Sequence, residues 1–135
     1  MIVVDASAWV RALVDTQRPG DESRKALAVD DRWVAPSHMA TEVLRTLWRY
    51  EFGRLIDPAT SSALARLVST ASVEYVSPEP WLLAEQWQLR HNVSSYDAAY
   101  VAVARRFSAP LLTADGRLAR AARTSGVEVR LVPAV

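Results

Sequence analysis

Short apolar runs alternate along this chain with longer segments of helical periodicity. The runs have the length of β-strands and lie at 2–4, 33–35, 73–76, 111–113 and 127–132. The periodic segments predict helices over 7–14, 22–29, 37–52, 58–72, 80–90, 96–107 and 117–124. Ser7 is the expected N-cap of the first helix, and Arg18 to Asp21, which contains Pro-Gly, is expected to be a loop. This alternation predicts an α/β fold, with a parallel sheet covered by helices on both faces.

The composition indicates one soluble domain over 1–135. Half of the 135 residues are hydrophobic and 23% are charged, which argues against disorder. The chain has no cysteine, which excludes disulfides, zinc–thiolate sites and cysteine nucleophiles and fits a cytoplasmic location. Its start lacks a basic leader and no apolar run reaches the roughly 20 residues that span a bilayer, so we expect neither a signal peptide nor a membrane contact.

Two acids follow predicted strands, and ligands of parallel sheets bind beyond the carboxyl ends of the strands. Asp5 directly follows the run at 2–4, and Asp115 follows the run at 111–113 by two residues. Each is therefore a candidate site residue. The alternative is that each only complements the dipole of the helix that follows it.

Asp97 lies in the first turn of a predicted helix that is apolar on every face as far as Ala104, which is typical of a buried helix. A buried carboxylate needs a partner, a proton or a cation. Ser94 and Ser95 are available to cap this helix, so we favour a functional role for Asp97.

Glu42 lies on the helix predicted over 37–52, opposite the apolar stripe formed by Met39, Ala40, Val43, Leu44, Leu47 and Trp48. It shares its face with His38, Arg45 and Arg49. Periodicity alone leaves two interpretations open: a solvated face with routine ion pairs, or the border of a cleft whose arginines contact substrate phosphates.

The four acids are more informative together than singly. Two like charges about 4 Å apart repel by about 4 kcal/mol at an effective dielectric near 20, so converging acids need a cation. Oxygen ligands without cysteine suit Mg²⁺ or Mn²⁺ rather than zinc. Such a metal can activate water for hydrolysis of a phosphodiester.

The four acids stand in four short motifs that follow one another across essentially the whole chain: DASAW from Asp5, EVLRTL from Glu42, YDAAYVAVA from Tyr96 and LTAD from Leu112. In this order the motifs resemble those of PIN-domain nucleases, and most closely those of the VapC-type toxins of bacterial toxin–antitoxin modules. The resemblance implies an α/β/α sandwich around a mainly parallel sheet and Mg²⁺- or Mn²⁺-dependent endonucleolytic cleavage of RNA. It also implies a homodimer and inhibition by a VapB-type antitoxin, in a heterotetramer or larger assembly.

The same resemblance assigns roles to individual residues. Asp5 and Asp97 would be the principal metal ligands, and Glu42 and Asp115 would complete the catalytic quartet. Ser7 and Thr113 match small hydroxyl residues that lie beside the acids. Arg45, Arg49 and Arg117 are candidates for contacts with RNA. Arg45 departs from the family pattern, because many relatives have an amide residue there, and this puts the surroundings of the quartet in question.

Other interpretations remain. A protein of the same fold could bind RNA or protein without catalysis, and EDTA-sensitive cleavage would separate the two. A magnesium-dependent phosphotransferase or phosphatase is a second alternative, but the chain lacks the motifs of these enzymes. Neither a Gly-rich loop ending in Lys-Ser/Thr nor an Asp-x-Asp pair occurs in the sequence. We expect the five tryptophans in the core or an interface rather than stacked on RNA bases. Apolar residues at 64–68 and 81–83 are candidates for a dimer or antitoxin contact.

Overall fold

The computed structural model describes residues 1–133, so the last two residues of the predicted domain lie outside the described part. Five strands form one parallel sheet in the order β3-β2-β1-β4-β5. They are β1 (Ile2–Val4), β2 (Trp33–Pro36), β3 (Val73–Val76), β4 (Leu111–Thr113) and β5 (Val129–Leu131). The predicted α/β class and parallel sheet are confirmed, with the last strand shorter than predicted.

Seven helices flank the sheet. They are α1 (Ala6–Val14), α2 (Arg18–Ala28), α3 (Met39–Phe52), α4 (Pro58–Thr70), α5 (Pro80–Gln88), α6 (Ser95–Phe107) and α7 (Gly116–Thr124). Helix α6 packs on β1, β2 and β4, while α1 packs against α2 and α3. Within residues 1–133, no helix has both the length and the apolar character needed to cross a bilayer.

The core is built around β1 and α6. All three residues of β1 are buried, and so is every residue from Ala98 to Ala104 in α6. The prediction that this helix is buried on all sides is therefore confirmed. Small alanine and valine side chains let the helix lie close to the sheet, and a long buried helix gives the residues in its first turn a rigid support.

Two predictions about helix starts are wrong. Helix α2 begins at Arg18 rather than at 22, because Pro19 suits a first helical turn. Gly20 is needed there for close packing, since a Cβ would lie 1.8 Å from the backbone oxygen of Asp15. Asp5, not Ser7, is the N-cap of α1, although its side chain makes no capping hydrogen bond. Ser7 lies inside the helix.

The apolar stripe predicted on α3 divides into a buried and an exposed part. Met39, Val43 and Leu47 are buried, whereas Leu44 is 39% exposed and Trp48 is 60% exposed. Among the other tryptophans, Trp9 is buried and Trp87 is 66% exposed. A core position is therefore wrong for Trp48 and Trp87, and an interface position for them stays a prediction.

Candidate active site

Four carboxylates from four elements line one cleft of about 520 Å³: Asp5, Glu42, Asp97 and Asp115. Asp5 directly follows β1, and Asp115 follows β4, the neighbouring strand in the sheet. Glu42 and Asp97 lie in the first turns of α3 and α6. The sheet thus brings together four acids that are far apart in the sequence, at the edge where parallel strands present their carboxyl ends.

Asp5 is the most deeply buried of the four, with 5% of its surface exposed. Its Oδ2 accepts hydrogen bonds from the Ser7 hydroxyl and, at 2.7 Å, from the Thr113 hydroxyl. Burial raises the pKa of Asp5 to about 6, with a further contribution from the charges of Glu42 and Asp97, although the two hydroxyls act in the opposite direction. The fold therefore holds a carboxylate where its charge is unfavourable.

Ser7 and Thr113 connect Asp5 to the segment that follows β4. The Ser7 Oγ accepts a hydrogen bond of 2.9 Å from the backbone N–H of Ala114. The Thr113 Oγ1 accepts one of 3.0 Å from the backbone N–H of Asp115. Both hydroxyls that the family resemblance placed beside the acids are in contact with Asp5, and together they fix its orientation relative to Asp115.

Glu42 contacts Tyr100 of α6 and His38 at the start of its own helix. Its Oε1 accepts a hydrogen bond of 2.7 Å from the fully buried phenol of Tyr100. The buried Nε2 of His38 lies 3.3 Å from the same oxygen without forming a hydrogen bond. Burial lowers the pKa of His38, so its ring is neutral at pH 7. Glu42 therefore does not lie on a solvated face with routine ion pairs, because its side chain is half-buried and contacts α6.

Burial and carboxylate neighbours also act on the ionisation of Glu42, Tyr100 and Asp97. Burial raises the pKa of Glu42, and the charge of Asp97 adds to the effect. Burial and the nearby Asp5 raise the pKa of the Tyr100 phenol, so Tyr100 stays protonated and donates its hydrogen bond. Burial and the charge of Asp115 raise the pKa of Asp97. The four acids thus form one electrostatically connected group.

Asp97 and Asp115 differ in what their carboxylates do locally. The Asp115 Oδ1 accepts hydrogen bonds from the backbone N–H groups of Arg117 at 2.8 Å and Leu118 at 3.4 Å, so Asp115 caps α7. This oxygen thus stabilises the start of the helix that follows it, which was the alternative to a functional role. Asp115 nevertheless also borders the cleft. In α6 the cap is Ser94, whose hydroxyl accepts from the backbone N–H of Asp97. The Asp97 carboxylate is therefore not needed as the cap.

The oxygen ligands suit a hard divalent cation, yet they are not drawn together into a finished metal site. Among residues 1–133, no three histidine or acidic side chains lie close enough to hold an ion as they stand. Hydrogen bonds from Ser7 and Thr113 orient Asp5, and a hydrogen bond from Tyr100 orients Glu42. The donor chemistry and the shared cleft nevertheless fit a divalent metal ion.

The cleft also has basic and apolar walls. Arg45 lines it, whereas Arg49 and Arg117 are exposed outside its lining. The sequence interpretation missed Arg11, which lines the cleft one helical turn after Ser7, and Tyr100, which follows Asp97 by three residues. A spacing of three or four residues on a helix was the available signal in both cases. The lining of the cleft also includes Val10, Val14, Thr46, Tyr50 and Leu55.

Comparison with known proteins places this chain in a family. The PIN domain family model matches residues 2–124. The chain is 35% identical to Ribonuclease VapC9 of Mycobacterium tuberculosis over 119 residues, which are 87% of this chain and 88% of that protein. It is 55% identical to Ribonuclease VapC1 of the same species over 53 residues, and that alignment spans only 39% of each protein.

A solved structure shows the same fold. The crystal structure of Mycobacterium tuberculosis VapC20, described as a sarcin-ricin loop cleaving toxin, superposes with a TM-score of 0.69 at 20% sequence identity. The superposition covers 90% of this chain and 95% of the VapC20 chain. The chain thus belongs to the PIN domain family, among its VapC members.

Proposed function

We propose that this protein is a Mg²⁺- or Mn²⁺-dependent endoribonuclease and the toxin of a toxin–antitoxin pair. The observation that carries the proposal is the cleft into which β1, α3, α6 and the end of β4 each contribute one carboxylate. Four acids are costly to gather unless a cation uses them. The likeness to VapC9, a ribonuclease, and to VapC20, a sarcin-ricin loop cleaving toxin, supports the assignment to RNA.

The residues of the chain have distinct tasks in this reaction. Asp5, fixed by two hydroxyls, and Asp97, on its buried helix, would be the principal ligands, with Glu42 and Asp115 completing the set. A bound divalent ion supplies an activated water and neutralises charge that develops at phosphorus. Arg45, at the wall of the cleft, would contact the RNA backbone, because arginine suits phosphate oxygens.

The test is RNA cleavage by purified protein with Mg²⁺ or Mn²⁺, with and without EDTA. Asp97→Asn keeps the size of the side chain and should abolish cleavage while leaving the circular dichroism spectrum unchanged. Asp57→Asn, an exposed cap of α4, is the matched control and should cleave normally. Full activity of Asp97→Asn would refute the assignment. RNA binding without EDTA-sensitive cleavage would favour the alternative of an inactive binding module.

We propose further that an antitoxin segment docks in a second groove, of about 440 Å³, between α1, α2 and α4. Its lining is largely apolar and consists of Trp9, Ala12, Leu13, Arg24, Leu27, Ala28, Trp33, Leu64 and Leu67. The rings of Trp9 and Trp33 meet edge to face with centroids 5.6 Å apart, and Leu67 is 56% exposed. Such a surface suits the apolar face of an amphipathic helix.

We also propose that the protein forms a homodimer through the exposed side of α3. Leu44, Trp48 and Phe52 follow one another at intervals of four residues, and the rings of Trp48 and Phe52 are 6.1 Å apart. Large apolar side chains that share one helix face mark an interaction surface. A second copy of this chain, expected from the family resemblance, is the proposed occupant.

A further inference from the structure

The phenol of Tyr100 lies beneath the acidic cleft and joins two of its walls. Tyr100 is fully buried and follows Asp97 by three residues, so both side chains lie on neighbouring positions of one side of α6. Its hydroxyl donates to Glu42 Oε1 at 2.7 Å, a distance typical of a hydrogen bond to an ionised carboxylate. This bond connects the first turn of α3 to the buried helix α6.

Glu42 needs such a tie because opposing forces act on it. The negative charge of Asp97 repels its carboxylate, while the positive charge of Arg45 attracts it. Glutamate has three rotatable side-chain bonds, and about a third of this side chain is exposed. Without a fixed donor, the carboxylate would turn away from Asp97 and towards Arg45.

His38 closes the other side of Glu42. Its ring packs edge-on against Tyr96 at 5.0 Å and against Tyr100 at 5.5 Å between centroids. The ring in turn places Nε2 within 3.3 Å of Glu42 Oε1. Two aromatic residues of α6 therefore fix the histidine, while the Tyr100 hydroxyl alone donates a hydrogen bond to Glu42 among the described contacts of that carboxylate.

We propose that Tyr100 is a positioning residue whose hydroxyl holds Glu42 beside Asp97, so that both carboxylates can share a divalent cation. The inference rests on the proposed nuclease function and adds to it a residue outside the acidic quartet. The competing interpretation is that Tyr100 is only a core aromatic residue. These differ in a measurable way, because Tyr100→Phe keeps the ring and removes only the hydroxyl.

The decisive experiment is calorimetric titration of Mn²⁺, without RNA, into the wild type and into Tyr100→Phe, Glu42→Gln and the double variant. Loss of a group that orients a metal ligand typically costs 10- to 100-fold in affinity, so Tyr100→Phe should bind Mn²⁺ at least about tenfold more weakly. In the Glu42→Gln background the same substitution should cause no further loss. Tyr96→Phe is the control, since Tyr96 lies on the same helix, contacts His38 and is 62% exposed. Its affinity should equal that of the wild type.

Each outcome decides between the two interpretations. Wild-type affinity in Tyr100→Phe, or losses that simply add in the double variant, would overturn the role of Tyr100 while leaving the nuclease proposal intact. Wild-type affinity in Glu42→Gln and Asp97→Asn would overturn both, because the quartet would not hold the metal. Thermal unfolding of Tyr100→Phe in EDTA, compared with wild type, measures any effect on stability alone. In cleavage assays at subsaturating Mn²⁺, we expect a lower kcat with an unchanged KM for RNA.

Discussion

Asp5→Asn should make the protein more stable at neutral pH while abolishing its proposed activity. The carboxylate of Asp5 is 5% exposed and lies near the charges of Glu42 and Asp97. Asparagine has the same shape and keeps one oxygen to accept from the hydroxyls of Ser7 and Thr113. Its amide N–H groups would face the remaining carboxylates, so the substitution removes the repulsion without opening a cavity.

The pKa of Asp5 sets the size and the sign of the effect. In the folded chain this pKa is raised to about 6 from an ordinary value of 3.8, so between these values the folded state binds more protons than the unfolded state. The contribution of Asp5 to the free energy of unfolding is therefore most favourable below about pH 4, where the carboxyl is protonated in both states. This contribution is lost as the pH rises to about 6. A shift of roughly two units corresponds to about 3 kcal/mol in the free energy of unfolding above pH 6.

The assay is thermal unfolding in EDTA at a series of pH values from 4 to 8. At pH 7.5 we expect Asp5→Asn to melt about 10 °C above the wild type, since roughly 3–5 °C accompany each kcal/mol in a chain of this size. The difference should vanish near pH 4. Asp57→Asn is the control of opposite sign, because hydrogen bonds from Thr60 lower the pKa of that exposed carboxyl and favour its charged form. A melting temperature of Asp5→Asn at or below that of the wild type throughout this range would refute the reasoning.

Further predictions concern the metal, the RNA and the two apolar surfaces. Mn²⁺ should raise the melting temperature of the wild type, because it binds the folded cluster, and differential scanning calorimetry with and without EDTA measures the rise. Arg45→Ala should weaken RNA binding and reduce the slope of the logarithm of the binding constant against the logarithm of salt concentration by about one. Arg49→Ala, outside the cleft lining, should change neither quantity, and fluorescence anisotropy measures both. Leu67→Asp should prevent capture of an antitoxin helix in a pull-down yet leave RNA cleavage unchanged. Trp48→Glu should yield a monomer in analytical ultracentrifugation, and a persistent dimer would move the interface elsewhere.

The fold was predictable because its signals are local. Each strand is a short apolar run, and α6 is apolar on every side, so periodicity alone indicates where both must lie. The start of α2 was not predictable in this way, because Pro19 and Gly20 are typical of a turn. The helix nevertheless begins at Arg18, because Pro19 fits its first turn and Gly20 lies against the backbone of Asp15 where a side chain would clash.

The candidate site was predictable only in part, for a related reason. Asp5 and Asp115 follow strands, and Asp97 begins a buried helix, so each has a signal within its own element. Glu42 has no such signal, since periodicity describes one helix and not the neighbour that faces it. Its environment is supplied by Tyr100, on another helix and far away in the sequence.

The position of β1 has a consequence for the synthesis of this protein. The first strand is the middle of the sheet and pairs with β2 on one side and with β4 on the other. A nascent chain that lacks β4 leaves one edge of its first strand unpaired, and Asp5 then lacks Thr113 and Asp115. Because β4 follows β1 by about a hundred residues of chain, the cleft cannot assemble until the ribosome has made β4. The four carboxylates thus come together only in a nascent chain that already contains residues 1–115, and a shorter one holds them apart.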